Sequence, residues 1–239
     1  MAGAIQHPDH GDAYLGKQLA WATQKLQSRD PSYRFKWDIY FDRLEELARS
    51  SQRFLDAGCG DNKTASELNG PELCVGVDIV LKQPLGTAVR GTLEHLPFRN
   101  ETFDLVGCRY VAEHLSDPET VWRELHRVMQ PGGRVLIQTV NAQSLLIKLS
   151  RRLGGRLRRL ISRKRYARRD QDVFPVVDRF NAPDLYRQPP TGFRCVSVIM
   201  TQDVDTQSRL GFYLTYLLVR WTQRRPDRRS TITAEWERI

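Results

Sequence analysis

The chain has 239 residues, of which 40% are hydrophobic, 27% charged and 9% aromatic. That length makes one large domain or two small ones, enough to bury a core without disulfide or metal staples, and the hydrophobic share excludes a wholly disordered chain. The net charge of +9 is local: residues 148–169 hold eleven Lys or Arg and no acid, which leaves 26 basic against 28 acidic residues elsewhere, so the overall basic balance is a poor argument for nucleic acid.

No apolar run reaches the ~18 residues of a spanning helix. The first twenty residues show no basic start followed by an apolar stretch, so no secretory signal is visible. Cys59, Cys74, Cys108 and Cys195 lie far apart without C-x-x-C spacing. Neither a disulfide scaffold nor a metal site is expected. Three of the four sit in apolar segments, which fits reduced thiols in a cytoplasmic chain.

In chain order, residues 1–30 are polar with a weak helical pattern through Leu15, Leu19, Trp21 and Leu26. Residues 33–49 read as an amphipathic helix, with Phe35, Ile39, Leu44 and Leu47 recurring every three to five positions. Residues 1–50 are thus expected to form a helical cap on a domain spanning 51–239. A strand-and-helix alternation follows. Strands are expected at 53–57, 73–79, 87–91 (weakly), 103–108 and 134–140. A helix at 61–69 takes Asp61 or Asn62 as its cap. A second, at 118–129, opens with Pro118 and is stopped by Pro131-Gly132-Gly133. Continuous apolar strands separated by helices imply a parallel sheet covered on both faces.

Past residue 141 the pattern changes. Residues 144–161 put seven Leu or Ile residues on one helical stripe, with arginines elsewhere, although Gly154-Gly155 weakens that helix. A short helix is expected at 182–188 and a strand at 192–200. Residues 206–221 place Leu210, Tyr213, Leu214, Leu217, Leu218 and Trp221 on a helical stripe, with a strand as the alternative. Residues 230–236 alternate as a closing edge strand would.

The strongest chemical signal is Leu55-Asp56-Ala57-Gly58-Cys59-Gly60. An apolar strand runs into a turn of small residues and then a helix, so a ligand can lie against backbone N–H groups. Eighteen residues after Gly60 the next strand ends in Asp78. A carboxylate there can accept from two vicinal ribose hydroxyls. Together they describe a nucleoside-binding βαβ crevice. The dinucleotide fingerprint is half matched, because Lys63 stands at the third glycine. Asp56 suits a cationic ligand better than a pyrophosphate, which points to S-adenosylmethionine, whose amino group and sulfonium are positive. The alternative is a bare βα turn with glycines for packing.

These residues resemble the class I S-adenosylmethionine-dependent methyltransferases, and most closely the small-molecule type that includes ubiquinone and menaquinone methyltransferases. Four ordered motifs carry the likeness over about 53–140: Leu55–Gly60; Asp78; Leu93–Phe98 followed by Phe103-Asp104-Leu105-Val106; and Glu113-His114-Leu115 followed by Glu124–Gly133. The resemblance implies a three-layer, Rossmann-like α/β fold with a mostly parallel seven-stranded sheet and an antiparallel last strand. It also implies a cofactor site. Asp56, Ala57, Gly58, Cys59 and Gly60 would line the methionine end, Asp78 would hold the ribose, and Ile79 would pack on adenine. Thr92 and Leu93 would flank the adenine amino group, and Arg109 and Tyr110 would close over the methionine moiety. Thr92 departs from the family, which often has Asp there, so charge assistance to adenine is lost.

Methyl transfer to an activated carbon needs mainly alignment, and a base only where the nucleophile is a weakly acidic hydroxyl. His114 is the best-placed base; its other reading is a hydrogen-bonded histidine at a helix end. His95 and His126 read as loop packing and an exposed helix position. Glu113 either orients a substrate or caps a helix. The 141–181 insert lies where this family often places acceptor recognition. Its leucine stripe with arginines, 145–169, suits an anionic membrane surface or a polyanionic acceptor, and otherwise a solvated loop. The expectation is O-methylation of a small molecule, with a lipid-linked or glycan acceptor, by a cytoplasmic chain peripheral at the inner membrane face. The alternatives are an RNA methyltransferase and a non-catalytic lipid-surface adaptor. Nucleic acid is the less favoured partner, because only Tyr166 interrupts the arginines as an aromatic.

Overall fold

The computed structural model describes residues 21–22, 24–26, 28–31, 33–145, 148, 182–202, 204 and 209–239. Seven strands form one sheet: β1 (Arg53–Ala57), β2 (Leu73–Asp78), β3 (Ala88–Arg90), β4 (Phe103–Arg109), β5 (Met129–Val140), β6 (Phe193–Thr201) and β7 (Thr231–Arg238). Their order is β3-β2-β1-β4-β5-β7-β6. β1 pairs in parallel with β2 and β4, β2 with β3, and β4 with β5, whereas β7 is antiparallel to both β5 and β6. The order reverses beside β1, and the crevice at the carboxyl ends of β1 and β4 is where such sheets bind ligands.

β1 and β4 sit mid-sheet and are buried along nearly their whole length, as their unbroken apolar text requires. Asp104 fixes their register from below, accepting the N–H groups of Gln52 at 2.7 Å and Arg53 at 2.8 Å. On one face, α1 (Lys36–Ala48) buries Tyr40, Phe41, Leu44 and Ala48 against Phe54, Leu105 and Leu136. The other face is covered by α3 (Pro118–Val128), whose Val121, Leu125 and Val128 join the main core. Between these helices in sequence lies the short α2 (Lys63–Glu67). Asp117 caps α3 by accepting from Thr120 N–H at 3.2 Å. The brief α4 (Pro183–Arg187) sets Tyr186 against Trp236, whose indole N–H donates to the Tyr186 carbonyl at 2.8 Å. α5 (Arg209–Thr222) packs Phe212, Tyr216 and Val219 on Ala22, Leu26 and Phe35.

Several sequence expectations change. The 230–236 run is an interior strand and not an edge: β7 lies between β5 and β6, and both its faces are buried. α2 is shorter than 61–69, and Asn62 does not cap it with its side chain. Instead the Asn62 amide donates to the carbonyls of Leu85 at 2.6 Å and Thr87 at 2.9 Å, tying α2 to the strand beyond β2. β5 takes in Pro131-Gly132-Gly133 and begins at Met129. His126 is half-buried and meets Phe193 edge-on at 5.5 Å. Residues 209–222 are helical, which removes the strand alternative. The leucine stripe and most of the arginine run at 145–169, and with them the body of the 141–181 insert, lie outside the described residues.

Candidate cofactor and acceptor site

At the carboxyl edge of the sheet, β1 ends in a turn that only glycine accommodates. Gly58 has φ +80°, and a Cβ on it would stand 2.2 Å from Val111 Cγ2. The turn is held inward, because the N–H groups of Gly58 and Cys59 both donate to the Val77 carbonyl, at 2.8 and 3.1 Å. Gly60, at φ +58°, has open space where its side chain would be. The Gly60 N–H donates to Asp78 Oδ2 at 2.8 Å, and the Val80 N–H to Asp78 Oδ1 at 2.9 Å. The carboxylate is thus oriented by two backbone dipoles and keeps further lone pairs for hydroxyl donors.

Beside it lies a hollow of about 260 Å³ lined by Gly58, Asp78, Ile79, Gly91, Thr92, Leu93, Glu94, Tyr110, Val111, His114, Leu115 and Ser116. Seven of the residues singled out in the sequence meet there: Gly58, Asp78, Ile79, Thr92, Leu93, Tyr110 and His114. Asp56, Ala57, Cys59, Gly60 and Arg109 stand outside that lining. Ala57 and Cys59 are buried beneath the turn, and Asp56 is only 5% exposed. Val111 and Leu115 were missed. Their role follows from the left-handed backbone of Tyr110 (φ +55°), which turns the chain back over Gly58, and no local sequence pattern announces that turn.

The wall on the Thr92 side is braced from α3. The Glu124 carboxylate accepts the Leu96 N–H at 2.9 Å, and it also accepts Arg127 Nε at 2.8 Å. The Arg127 guanidinium donates to the carbonyls of Leu96 at 3.0 Å and Phe98 at 2.9 Å. The Glu124…Arg127 text therefore does positional work, holding the loop that carries Thr92, Leu93 and Glu94. Thr92 spends its hydroxyl on Glu94.

Electrostatically the site is acid-rich. Burial pushes the Asp56 carboxyl up to about 7, and Asp61 and Asp78 act in the same direction, against the opposing pull of Arg109. Arg109 lies over the Phe41 ring at 5.1 Å. Glu113 faces away from solvent and accepts from the Thr139 hydroxyl at 2.8 Å, so it anchors the 3₁₀ turn Ala112–His114. Burial raises its carboxyl above the usual range. Among the described residues no cluster of His, Cys, Asp or Glu could hold a metal ion.

Residues 55–137 match the family described as the methyltransferase domain. Over that stretch the chain is similar to a methyltransferase domain. It is 36% identical over 121 residues to the malonyl-[acyl-carrier protein] O-methyltransferase of Erwinia billingiae, covering 42% of this chain and 46% of that one. It is 32% identical over 106 residues to the ubiquinone biosynthesis O-methyltransferase of Aeromonas salmonicida, covering 38% and 44%. The chain thus spans about half the length of the curated relatives it matches. The fold of a solved S-adenosylmethionine-dependent methyltransferase from Thermotoga maritima matches over 92% of this chain and 99% of that one, with TM-score 0.50 and 15% identity. The matched stretch runs from Leu55 in β1 to Ile137 in β5. S-adenosylmethionine is the cofactor the domain implies, and the residues fit it. The hollow joins one oriented carboxylate, Asp78, to an apolar wall of Ile79, Leu93 and Leu115, which is the polarity of a nucleoside.

Proposed function

We propose that this chain is an S-adenosylmethionine-dependent methyltransferase acting on oxygen of a small molecule, with a lipid-linked or glycan acceptor, working in the cytoplasm at the inner membrane face. The observation that carries the reading is the backbone-oriented Asp78 carboxylate at the rim of the 260 Å³ hollow. Both curated relatives described above are O-methyltransferases by name, which supports oxygen as the acceptor atom. In this proposal residues 1–50 cap the domain and the 141–181 insert serves acceptor recognition.

In this reading Asp78 accepts from the ribose hydroxyls, Ile79 and Leu93 sandwich the adenine, and Asp56 faces the cationic methionine end together with the Gly58–Gly60 turn. Arg109 and Tyr110 close that end. The cofactor supplies a methyl group already activated by positive sulfur. The chain supplies position, and His114 accepts the hydroxyl proton of the acceptor. Glu113, bonded to Thr139, steadies the turn on which His114 sits.

Two measurements test the proposal. Calorimetric titration with S-adenosylmethionine is expected to show one site, lost in Asp78→Ala. Incubation of cell extract with radiolabelled cofactor and the chain, followed by separation of lipid, RNA and protein, is expected to place label in the lipid or small-molecule fraction. Label in RNA or protein overturns the acceptor assignment, and absent cofactor binding overturns the enzyme.

A further inference from the structure

α5 turns one stripe inward and another outward. Phe212, Tyr216 and Val219 are buried. On the opposite stripe Leu210, Leu214, Leu217 and Trp221 are 72%, 56%, 62% and 49% exposed. Isolated exposed leucines are ordinary, but four large apolar side chains on successive turns of one helix mark an interaction surface. Along residues 209–225 the charge has one sign. Arg209, Arg220, Arg224 and Arg225 are exposed, and residues 209–225 contain no Asp or Glu. Arg228 stands 5.7 Å from the Trp221 ring centre, adding a cation at the same end.

An apolar stripe edged by arginines, with a tryptophan toward one end, is complementary to the boundary of an anionic bilayer, where acyl chains take the apolar face and headgroups the cations. The helix is 14 residues long, about 21 Å at 1.5 Å per residue, and no helix among the described residues is long and apolar enough to cross a membrane. Its geometry is that of a helix lying on a surface.

The tether gives the surface a direction. α5 follows β6 and precedes β7, and the end of β6 pairs with the start of β7 at Thr201 and Thr231, beside Val140 at the end of β5. Asn141 locks this corner. Its amide donates to the carbonyls of Asp227 and Arg229, each at 2.7 Å, and its N–H to Ser230 at 2.7 Å. β6 and β7, the strands that flank α5 in sequence, therefore end and begin at the carboxyl edge of the sheet, the edge at which the hollow opens. We infer that the outward face of α5 is a docking surface for an anionic lipid bilayer, placed so that a docked chain holds the carboxyl edge of its sheet near the headgroups. The inference goes beyond the methyl-transfer reading and does not depend on it, since lipid binding is read without cofactor.

The test is flotation of the full chain with vesicles of phosphatidylcholine alone and with about one quarter phosphatidylglycerol. The unsubstituted chain is expected to float with the anionic vesicles and weakly with the neutral ones. The double substitution Leu214→Glu, Leu217→Glu is expected to weaken partitioning about tenfold or more, with circular dichroism and melting unchanged because both side chains are exposed. Arg220→Gln with Arg224→Gln is expected to reduce the preference for anionic vesicles. Failure of the unsubstituted chain to bind, or equal binding by the leucine variant, overturns the proposal. So does a lipid-free dimer, seen by sedimentation, that the leucine variant converts to monomer, because the face would then belong to a second copy.

Discussion

The Gly60 N–H donates to the Asp78 carboxylate across the first crossover at 2.8 Å, so the glycine turn after β1 and the acid ending β2 are one unit. Substituting Asp78 therefore acts twice: it removes a ribose acceptor and it releases the turn. Asp78→Asn, which keeps one acceptor oxygen and loses the charge, is expected to weaken S-adenosylmethionine binding at least about tenfold, the scale of a lost charge-assisted hydrogen bond. Titration calorimetry of the two proteins measures it directly.

Gly58 and Gly60 share a positive φ but differ in what surrounds them. Alanine at 60 meets nothing within 4 Å and incurs only the left-handed backbone penalty, about 1 kcal/mol. Alanine at 58 incurs that penalty and collides with Val111, for a total of about 2–4 kcal/mol. Urea denaturation of the two variants should show this difference. Adding Val111→Ala should recover part of the Gly58→Ala loss and none of the Gly60→Ala loss.

Much of this was legible because it is local. The strand from Arg53 to Ala57, the turn through Gly60 and the acid at Asp78 are fixed by short-range apolar runs and by small residues, and their alignment follows from the βαβ crossover. The place of β7 was not legible. Thr231–Arg238 alternates as an edge strand would, and its insertion between β5 and β6 is decided by pairing with Arg134–Val140 and Phe193–Thr201, partners far away in the chain. For α5, the sequence pattern found the apolar stripe through Leu210 and Trp221 but not which way it faces. The answer lies with Phe212, Tyr216 and Val219, which pack on the segment around Leu26.

Asp56 gives the fold a pH dependence of known sign. Burial raises its folded carboxyl from 3.8 to about 7. Between those limits the folded chain holds a proton that the unfolded chain has lost, so the contribution is full below about pH 4 and disappears as pH rises through 7. The ionised group is thus a liability at pH 8, of at most about 4 kcal/mol for a shift of this size. Asp56→Asn is expected to melt higher than the unsubstituted chain at pH 8, with the gap closing toward pH 4. Thermal denaturation across that range checks it. In the cofactor reading a cation beside Asp56 restores its ionisation. Binding near pH 6 should then release protons, visible as a dependence of the calorimetric heat on buffer ionisation, and Asp56→Asn should abolish that dependence.

Glu235 is a further buried carboxylate, outside the lining of the hollow. It sits in β7 with its side chain 2% exposed. It accepts Arg43 Nε at 2.7 Å and Nη2 at 2.9 Å from α1, and Arg134 Nη1 at 2.8 Å from β5. One carboxylate thus clamps the helix layer to two neighbouring strands. Arg43 also pairs with Glu46 and Arg134 with Glu237, and both guanidinium groups reach solvent, so Glu235→Gln is expected to cost about 2 kcal/mol, or roughly 4–8 °C in melting temperature for a chain of this size. The Arg34–Asp42 pair, which ties the chain just before α1 to that helix, is the internal control. Its side chains are 49% and 65% exposed, so Asp42→Asn should cost no more than about 1 kcal/mol. Equal losses from the two substitutions, read by calorimetry, would show that the clamp contributes no more than any surface pair.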